Sequence, residues 1–225
     1  MTAVKLSDMM KKRQLLSFEL FPPKTDRGMT NLSETIQQLC RYKPEYISVT
    51  YGAGGGNVGA NRQVCRMVRN AGAVPVTHFT VIRNTKQGIR EQLETYLKEG
   101  VDHILALRGD FPRGETTTGG DFNYATDLVK FIRDEFGEQF EIAVAGSPEG
   151  HISCRSLEAD IGVLKMKQDN GADYIMTQLC WDMEQFERWL DKIRRAGVTL
   201  PVDVGIMPIL DQAATINMAF PVMAV

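Results

Sequence analysis

Long apolar runs are missing from this chain of 225 residues. No window holds the roughly 20 continuous apolar residues that a helical membrane span needs. The opening stretch, MTAVKLSDMMKKRQLLSFEL, interrupts its apolar positions with charge too often for a signal peptide. An excess of one charge is missing too: 26 Lys and Arg stand against 28 Asp and Glu. That balance supplies no broad basic field for nucleic acid or an anionic membrane, although a local basic pocket for a phosphate stays open. Cys40, Cys65, Cys154 and Cys180 lie far apart without a C-x-x-C pair, so the expectation is free thiols in a reducing cytoplasm. Three histidines without H-E-x-x-H argue against metal catalysis. The absence of G-x-S-x-G argues against a serine hydrolase elbow. No strand-like run is followed in the right place by G-x-G-x-x-G, which argues against an open dinucleotide-binding sheet. The triple glycine Gly54, Gly55 and Gly56 reads only as a loop near a ligand.

What is present is an alternation of strand-like and helix-like runs every ~25–35 residues, the pattern of a parallel β/α barrel. Seven short runs rich in Val, Ile and aromatics read as buried parallel strands: 15–21, 46–52, 73–81, 103–109, 141–147, 174–180 and 202–209. Between them, apolar residues recur at helical spacing over 30–42, 61–70, 85–99, 121–136, 156–170 and 182–196. Asn31 with Glu34, and Asp182 with Gln185, have capping-box spacing. Gly171 and Gly197 stand where C-terminal caps belong. The expected architecture is one (β/α)8-type barrel domain over residues 1–225.

Polar residues gather near the carboxyl ends of these runs. Ser17 and Glu19 share one face of the first, Thr50 ends the second and His78 the third. Arg108, Gly109 and Asp110 end the fourth, Ser147 to Glu149 the fifth with His151 beyond, and Thr177 and Gln178 the sixth. The carboxyl-end rim is where barrel enzymes keep their active sites, so this convergence predicts a site for a polar small molecule. A carboxylate inside a barrel strand is costly unless paired. Glu19 therefore reads either as a functional acid or as a structural one bonded to Arg108 or a neighbouring strand. His103, at the start of its strand, reads as structural.

Four motifs carry a resemblance: Phe18-Glu19-Leu20-Phe21-Pro22-Pro23-Lys24, Ser48-Val49-Thr50-Tyr51-Gly52-Ala53-Gly54-Gly55, Ala106-Leu107-Arg108-Gly109-Asp110, and Thr177-Gln178. Together, in this order and spacing, they resemble the methylenetetrahydrofolate reductase family over residues ~13–210. The resemblance implies a (β/α)8 barrel that binds FAD at the carboxyl-end rim. It implies reduction of 5,10-methylenetetrahydrofolate to 5-methyltetrahydrofolate with NADH or NADPH, in ping-pong order. It makes Glu19 the general acid and Asp110 the carboxylate beside the flavin ring. It makes Thr50, His78, Arg108, Gly109, Asp110, Tyr124, Ala125, His151, Asp160 and Lys167 contacts for the cofactor, and Glu19 and Gln178 contacts for the folate. A homo-oligomer, in some relatives with a second subunit, is implied as well. The implied eighth strand has no counterpart after 202–209, so the sequence predicts a C-terminally shortened barrel. A non-catalytic truncated relative or partner subunit that binds flavin or folate without turnover is the rival expectation.

Overall fold

The computed structural model describes residues 5–51, 58–111, 114, 116–213 and 215–216. Gly52, Ala53 and the triple glycine Gly54, Gly55 and Gly56 lie outside these residues. Seven parallel strands pair in chain order in one sheet: β1 (Ser17–Leu20), β2 (Tyr46–Val49), β3 (Val74–Thr80), β4 (His103–Leu107), β5 (Glu141–Gly146), β6 (Tyr174–Thr177) and β7 (Val202–Asp203). The helices among the described residues are α1 (Leu6–Met10), α2 (Asp26–Cys40), α3 (Val58–Asn70), α4 (Lys86–Lys98), α5 (Ala125–Phe136), α6 (Leu157–Asp169) and α7 (Met183–Arg195).

The sheet is curled into a partial (β/α)8 barrel, and one hydrogen bond shows it. Tyr46 on β2 donates its hydroxyl proton to Asp203 Oδ2 on β7 at 2.5 Å. In a flat sheet those strands, five places apart in the order, would be separated by roughly 24 Å at about 4.8 Å per strand. The contact is possible only if their side chains point into a shared interior.

Strand alternation divides the core in two. Ile47, Val49, Phe79, Ile104, Ala106, Ile142, Val144 and Ile175 face outward and pack with Ile36, Val64, Leu93, Ile132, Leu164 and Trp189 of the surrounding helices. Tyr46, Val76, Leu105, Ala143 and Tyr174 face inward and enclose a smaller cluster, which Leu6 of α1 enters. Burying Leu6 completely is worth on the order of 2 kcal/mol. Charge anchors the same helix. The Glu141 carboxylate, at the start of β5, accepts the backbone N–H groups of Leu6 at 2.7 Å and Ser7 at 2.8 Å. His103 lies between Asp102, 2.7 Å away, and Glu141, 3.1 Å away. Burial works against its charge, but hydrogen bonds to the two carboxylates outweigh it and raise His103 to about 9. The expectation that His103 is structural and on the amino-end rim is met.

Several boundaries differ from the sequence pattern. α2 starts at Asp26 rather than 30, because the Thr25 side chain accepts the Gly28 N–H; Asn31 and Glu34 are therefore inside the helix and not at its cap. α5 starts at Ala125 rather than 121, with Tyr124 N–H donating to Asp127. β7 ends at Asp203 rather than 209, because the Gly205 N–H goes to the Thr177 hydroxyl at 2.9 Å instead of extending the ladder. The expected caps at Gly171 and Gly197 do adopt left-handed φ, +105° and +82°, and Asp182 accepts the Gln185 N–H. Residues 212–213 and 215–216 are helical as well; 214 and 217–225 lie outside the described residues.

Candidate active site

All strands are parallel, so residues that end or follow them share one rim. Glu19 points inward from β1, in register with Ser48 of β2. Its Oε2 accepts the Ser48 hydroxyl at 3.4 Å and lies 3.4 Å from His78 Nε2. Its partners are thus Ser48 and His78, not Arg108. Burial pushes the Glu19 carboxyl up, but His78 and then Ser48 outweigh it, and the net shift is downward. The direction is set by its partners, not by burial. The side chain also remains 45% exposed, so water limits what burial can do.

β3 runs two residues past His78, to Thr80. Both side chains face inward and are more than nine-tenths buried. His78 Nε2 has only the long 3.4 Å approach to Glu19 Oε2, and Thr80 Oγ1 has no hydrogen-bond partner. Buried polar atoms left like this cost about 1–3 kcal/mol each, and such atoms at a rim invite a ligand. Beside them Gly109 follows β4 with φ +85°. A Cβ there would lie 2.7 Å from Ile82 Cγ1 and 3.0 Å from Thr80 Cβ, so only glycine fits.

A second group surrounds the ends of β4 and β5. The Arg108 guanidinium lies 4.5 Å over the Phe111 ring, and Asp110 is exposed beside it. His151 N–H donates to Asp160 Oδ2 at 3.1 Å, and Lys167 Nζ to the Ala145 carbonyl at 2.8 Å. Burial lowers the His151 imidazole, and the charges of Arg108 and Lys167 lower it further against Asp160 and Asp110. Five predicted residues therefore share one electrostatic field. Lys167 is itself lowered by burial, with Asp160 opposing.

The remaining expectations are looser. Thr50 follows β2 and donates its N–H to the Leu20 carbonyl at 2.9 Å. Gln178 follows β6, its N–H on the Gly146 carbonyl and its side chain exposed. Tyr124, 62% exposed, and Ala125 open α5. The sequence reading passed over Ser48, Thr80 and Asn61. Ser48 and Thr80 were legible as inward positions by alternation with Tyr46 and His78. Asn61 was legible as a polar residue in phase with the buried Val64, Cys65 and Val68. Two small surface cavities lie away from this mouth, one beside Asp102, His103 and Glu141 and one between α3 and α4. Among the described residues no cluster of His, Cys, Asp and Glu is placed to hold a metal, and no helix is long and apolar enough to cross a membrane.

Residues 5–221 match the family model described as methylenetetrahydrofolate reductase. The chain belongs to the methylenetetrahydrofolate reductase family. It is 37% identical to Methylenetetrahydrofolate reductase (NADH) 1 of Arabidopsis thaliana, over 90% of this chain and 36% of the relative. It is 35% identical to 5,10-methylenetetrahydrofolate reductase of Escherichia coli, over 86% of this chain and 64% of the relative. The chain thus spans about a third of the plant reductase and less than two thirds of the bacterial one. Among solved structures it resembles an uncharacterized Clostridium thermocellum protein described as binding two copies of 5-methyl-5,6,7,8-tetrahydrofolic acid. The TM-score is 0.66 at 12% identity, over 98% of this chain and 75% of that one. This likeness bears on the fold alone.

Proposed function

We propose that this chain carries the flavin and folate site of a methylenetetrahydrofolate reductase, using NADH or NADPH to convert 5,10-methylenetetrahydrofolate to 5-methyltetrahydrofolate. Membership of the family supports the activity. The single observation that carries the site is the buried pair His78 Nε2, held only by its long contact to Glu19, and Thr80 Oγ1, without a hydrogen-bond partner, beside the left-handed Gly109 at the barrel mouth.

The residues present fit FAD. His78 and Thr80 offer polar atoms to a ring edge, and Gly109, without a Cβ, lets the end of β4 pack against Thr80 and Ile82. Thr50 adds a hydroxyl from β2. Arg108 and Lys167 are cations suited to a diphosphate, and the charges of both reach His151. Tyr124 and Ala125, at the start of α5, suit the adenosine half. Bound flavin supplies the redox chemistry. The chain's own part is positioning and proton supply.

The imidazolidine ring of the folate opens when N10 gains a proton and N5 becomes an iminium cation. Glu19 is the proposed donor. Its carboxyl is held down in the ligand-free site, yet it is half exposed. Covering it with planar ligands removes water and raises it toward the protonated form the step needs. The Asp110 carboxylate stabilises the cation, and the Gln178 amide hydrogen-bonds the pterin. Steady-state kinetics then follow a ping-pong pattern. The same reading places the protein in the cytoplasm as a homo-oligomer.

The test is titration of the purified protein with FAD, followed by NADH or NADPH. Bound flavin absorbance, its bleaching by the nicotinamide, and its return on adding 5,10-methylenetetrahydrofolate are expected. A protein that leaves the FAD spectrum unchanged at saturating concentration rules the reading out.

A further inference from the structure

Two amide side chains outside the proposed contact set hold the tips of β2 and β3 in the same way. Asn61, in the first turn of α3 and fully buried, donates both amide hydrogens to the carbonyls of Val49 at 3.0 Å and Thr50 at 3.1 Å. Asn84, just past β3, donates both of its own to the carbonyls of Thr80 and Ile82, each at 3.1 Å. These carbonyls lie where the parallel ladder is running out. Strand ends usually give such groups to water or to a loop. Here each pair receives a fixed donor pair from a single side chain.

The orientation of the Asn61 amide follows from its neighbours. Its Oδ1 receives the Thr77 hydroxyl at 2.9 Å, the Tyr96 hydroxyl at 2.7 Å and the Cys65 thiol at 3.6 Å. Its Nδ2 faces two carbonyls that can only accept. A flipped amide would set oxygen against oxygen. Asn61 thereby ties β2 to β3 through Thr77 and to α4 through Tyr96. Thr50 is pinned on both sides, its N–H on the Leu20 carbonyl and its own carbonyl on Asn61.

The two clamps are also joined. The Tyr51 hydroxyl donates to Gln92 Oε1 at 2.7 Å, and Gln92 Nε2 donates to Asn84 Oδ1 at 3.0 Å. The Asn84 carbonyl accepts the Asp121 N–H at 3.1 Å, which brings in the segment after β4. A Cβ on Gly120 would lie 2.4 Å from that carbonyl, so the junction admits nothing larger. The chain of bonds runs from the tip of β2, through α4, to the tip of β3 that carries His78 and Thr80.

We propose that Asn61 and Asn84 are positioning residues, coupled amide clamps that hold Thr50, His78 and Thr80 in the geometry the flavin ring requires. This rests on the flavin reading above. Neither residue touches the ring; each acts through the backbone it holds. A site held this closely gains because displacement by about 1 Å can cost about 100-fold in rate.

The test compares Asn61→Ala and Asn84→Ala with Val101→Ala, a fully buried position at the opposite end of β4 that destabilises without approaching the mouth. All are assayed well below their melting temperatures. Expected in both clamp variants are faster backbone exchange over residues 49–51 or 80–82 without flavin, a changed visible circular dichroism of bound FAD, and about tenfold weaker FAD affinity, the equivalent of about 1.4 kcal/mol. Val101→Ala should lose melting temperature and leave the spectrum alone. If Asn61→Ala does not fold, the half-buried Asn84→Ala decides the matter. Wild type that binds no FAD overturns the flavin reading and this inference with it. Clamp variants that bind FAD with wild-type affinity and spectrum overturn the inference alone.

Discussion

The two ends of the barrel interior treat polar groups in opposite ways. At the amino end, Glu141 is saturated by Leu6, Ser7 and His103, and His103 by Asp102 and Glu141. At the carboxyl end, Thr80 Oγ1 is buried without a hydrogen-bond partner, and Glu19 makes only long contacts at 3.4 Å, to Ser48 and to the buried His78. Both ends desolvate polar atoms, and the same physics prices them. The closed end uses its charges to fix α1 as a stopper. The open end leaves the cost standing until something binds. Saturation therefore marks stability, and incomplete saturation at the carboxyl-end rim marks the site.

The sharpest way to break this contrast is at Glu19. Glu19→Gln keeps the shape and removes the proposed proton donor. Folate reduction should fall by roughly 10²–10⁴-fold, while flavin reduction by NADH stays within about twofold and stability changes by less than about 1 kcal/mol. Rapid mixing separates the half-reactions. Equal losses in both halves would remove the general-acid role.

The closed end should respond in the other currency, stability. Glu141→Ala leaves charged His103 buried with one partner fewer, and about 3–5 kcal/mol should be lost, read by denaturant unfolding. The pH dependence has a definite sign. His103 is raised from 6.5 to about 9, so its contribution, on the order of 3 kcal/mol, is fully present below about pH 6.5 and is lost as pH rises through about 9. Glu141 is lowered to about 2; burial opposes this, and His103, the Ser7 hydroxyl and the Ser7 and Leu6 N–H groups outweigh it. Its contribution is present above about pH 4.5 and is lost as pH falls through about 2. His103→Gln should flatten the alkaline limb. An unchanged alkaline limb in that variant would show that the closed end is not held by charge.

Thr80→Val tests the open end with a smaller effect. Removing a buried hydroxyl that has no partner should stabilise the ligand-free protein by about 1 kcal/mol, while FAD affinity falls. Loss of stability together with unchanged affinity would mean that the hydroxyl is structural after all.

Much of this contrast could be read before the structure. The seven strands were legible because buried parallel strands are short apolar runs, and the rim was legible because polar residues interrupt those runs at their carboxyl ends. The tip of β3 was misread because Thr80 looks like a strand residue; only alternation with His78 places it inward. The ionisation of Glu19 was hidden because it depends on partners from β2 and β3, which no local pattern supplies. The shortness of β7 was hidden for a similar reason: a hydroxyl on β6 captures the Gly205 N–H. Where a residue's state is set by its own run of sequence, the sequence suffices. Where it is set across strands, register must be known first.

Register also raises the question of how deep the open end reaches. Tyr174, on β6, is completely buried, and its hydroxyl, like Thr80 Oγ1, has no hydrogen-bond partner. It is set at the first residue of β6, paired with Ala143, and its ring meets Tyr46 edge-on at 6.5 Å. That places it below the mouth, among the interior apolar cluster. If lack of a partner alone marked the site, Tyr174→Phe would weaken FAD binding as Thr80→Val does. If position along the strand matters as well, Tyr174→Phe should leave FAD affinity unchanged and shift stability upward by less than about 1 kcal/mol. The second outcome is expected, because Met176 follows Tyr174 inward toward the carboxyl end of β6 and packs on the same interior cluster, and a planar ring cannot pass a packed interior. Calorimetric unfolding with and without FAD reads both quantities on one sample.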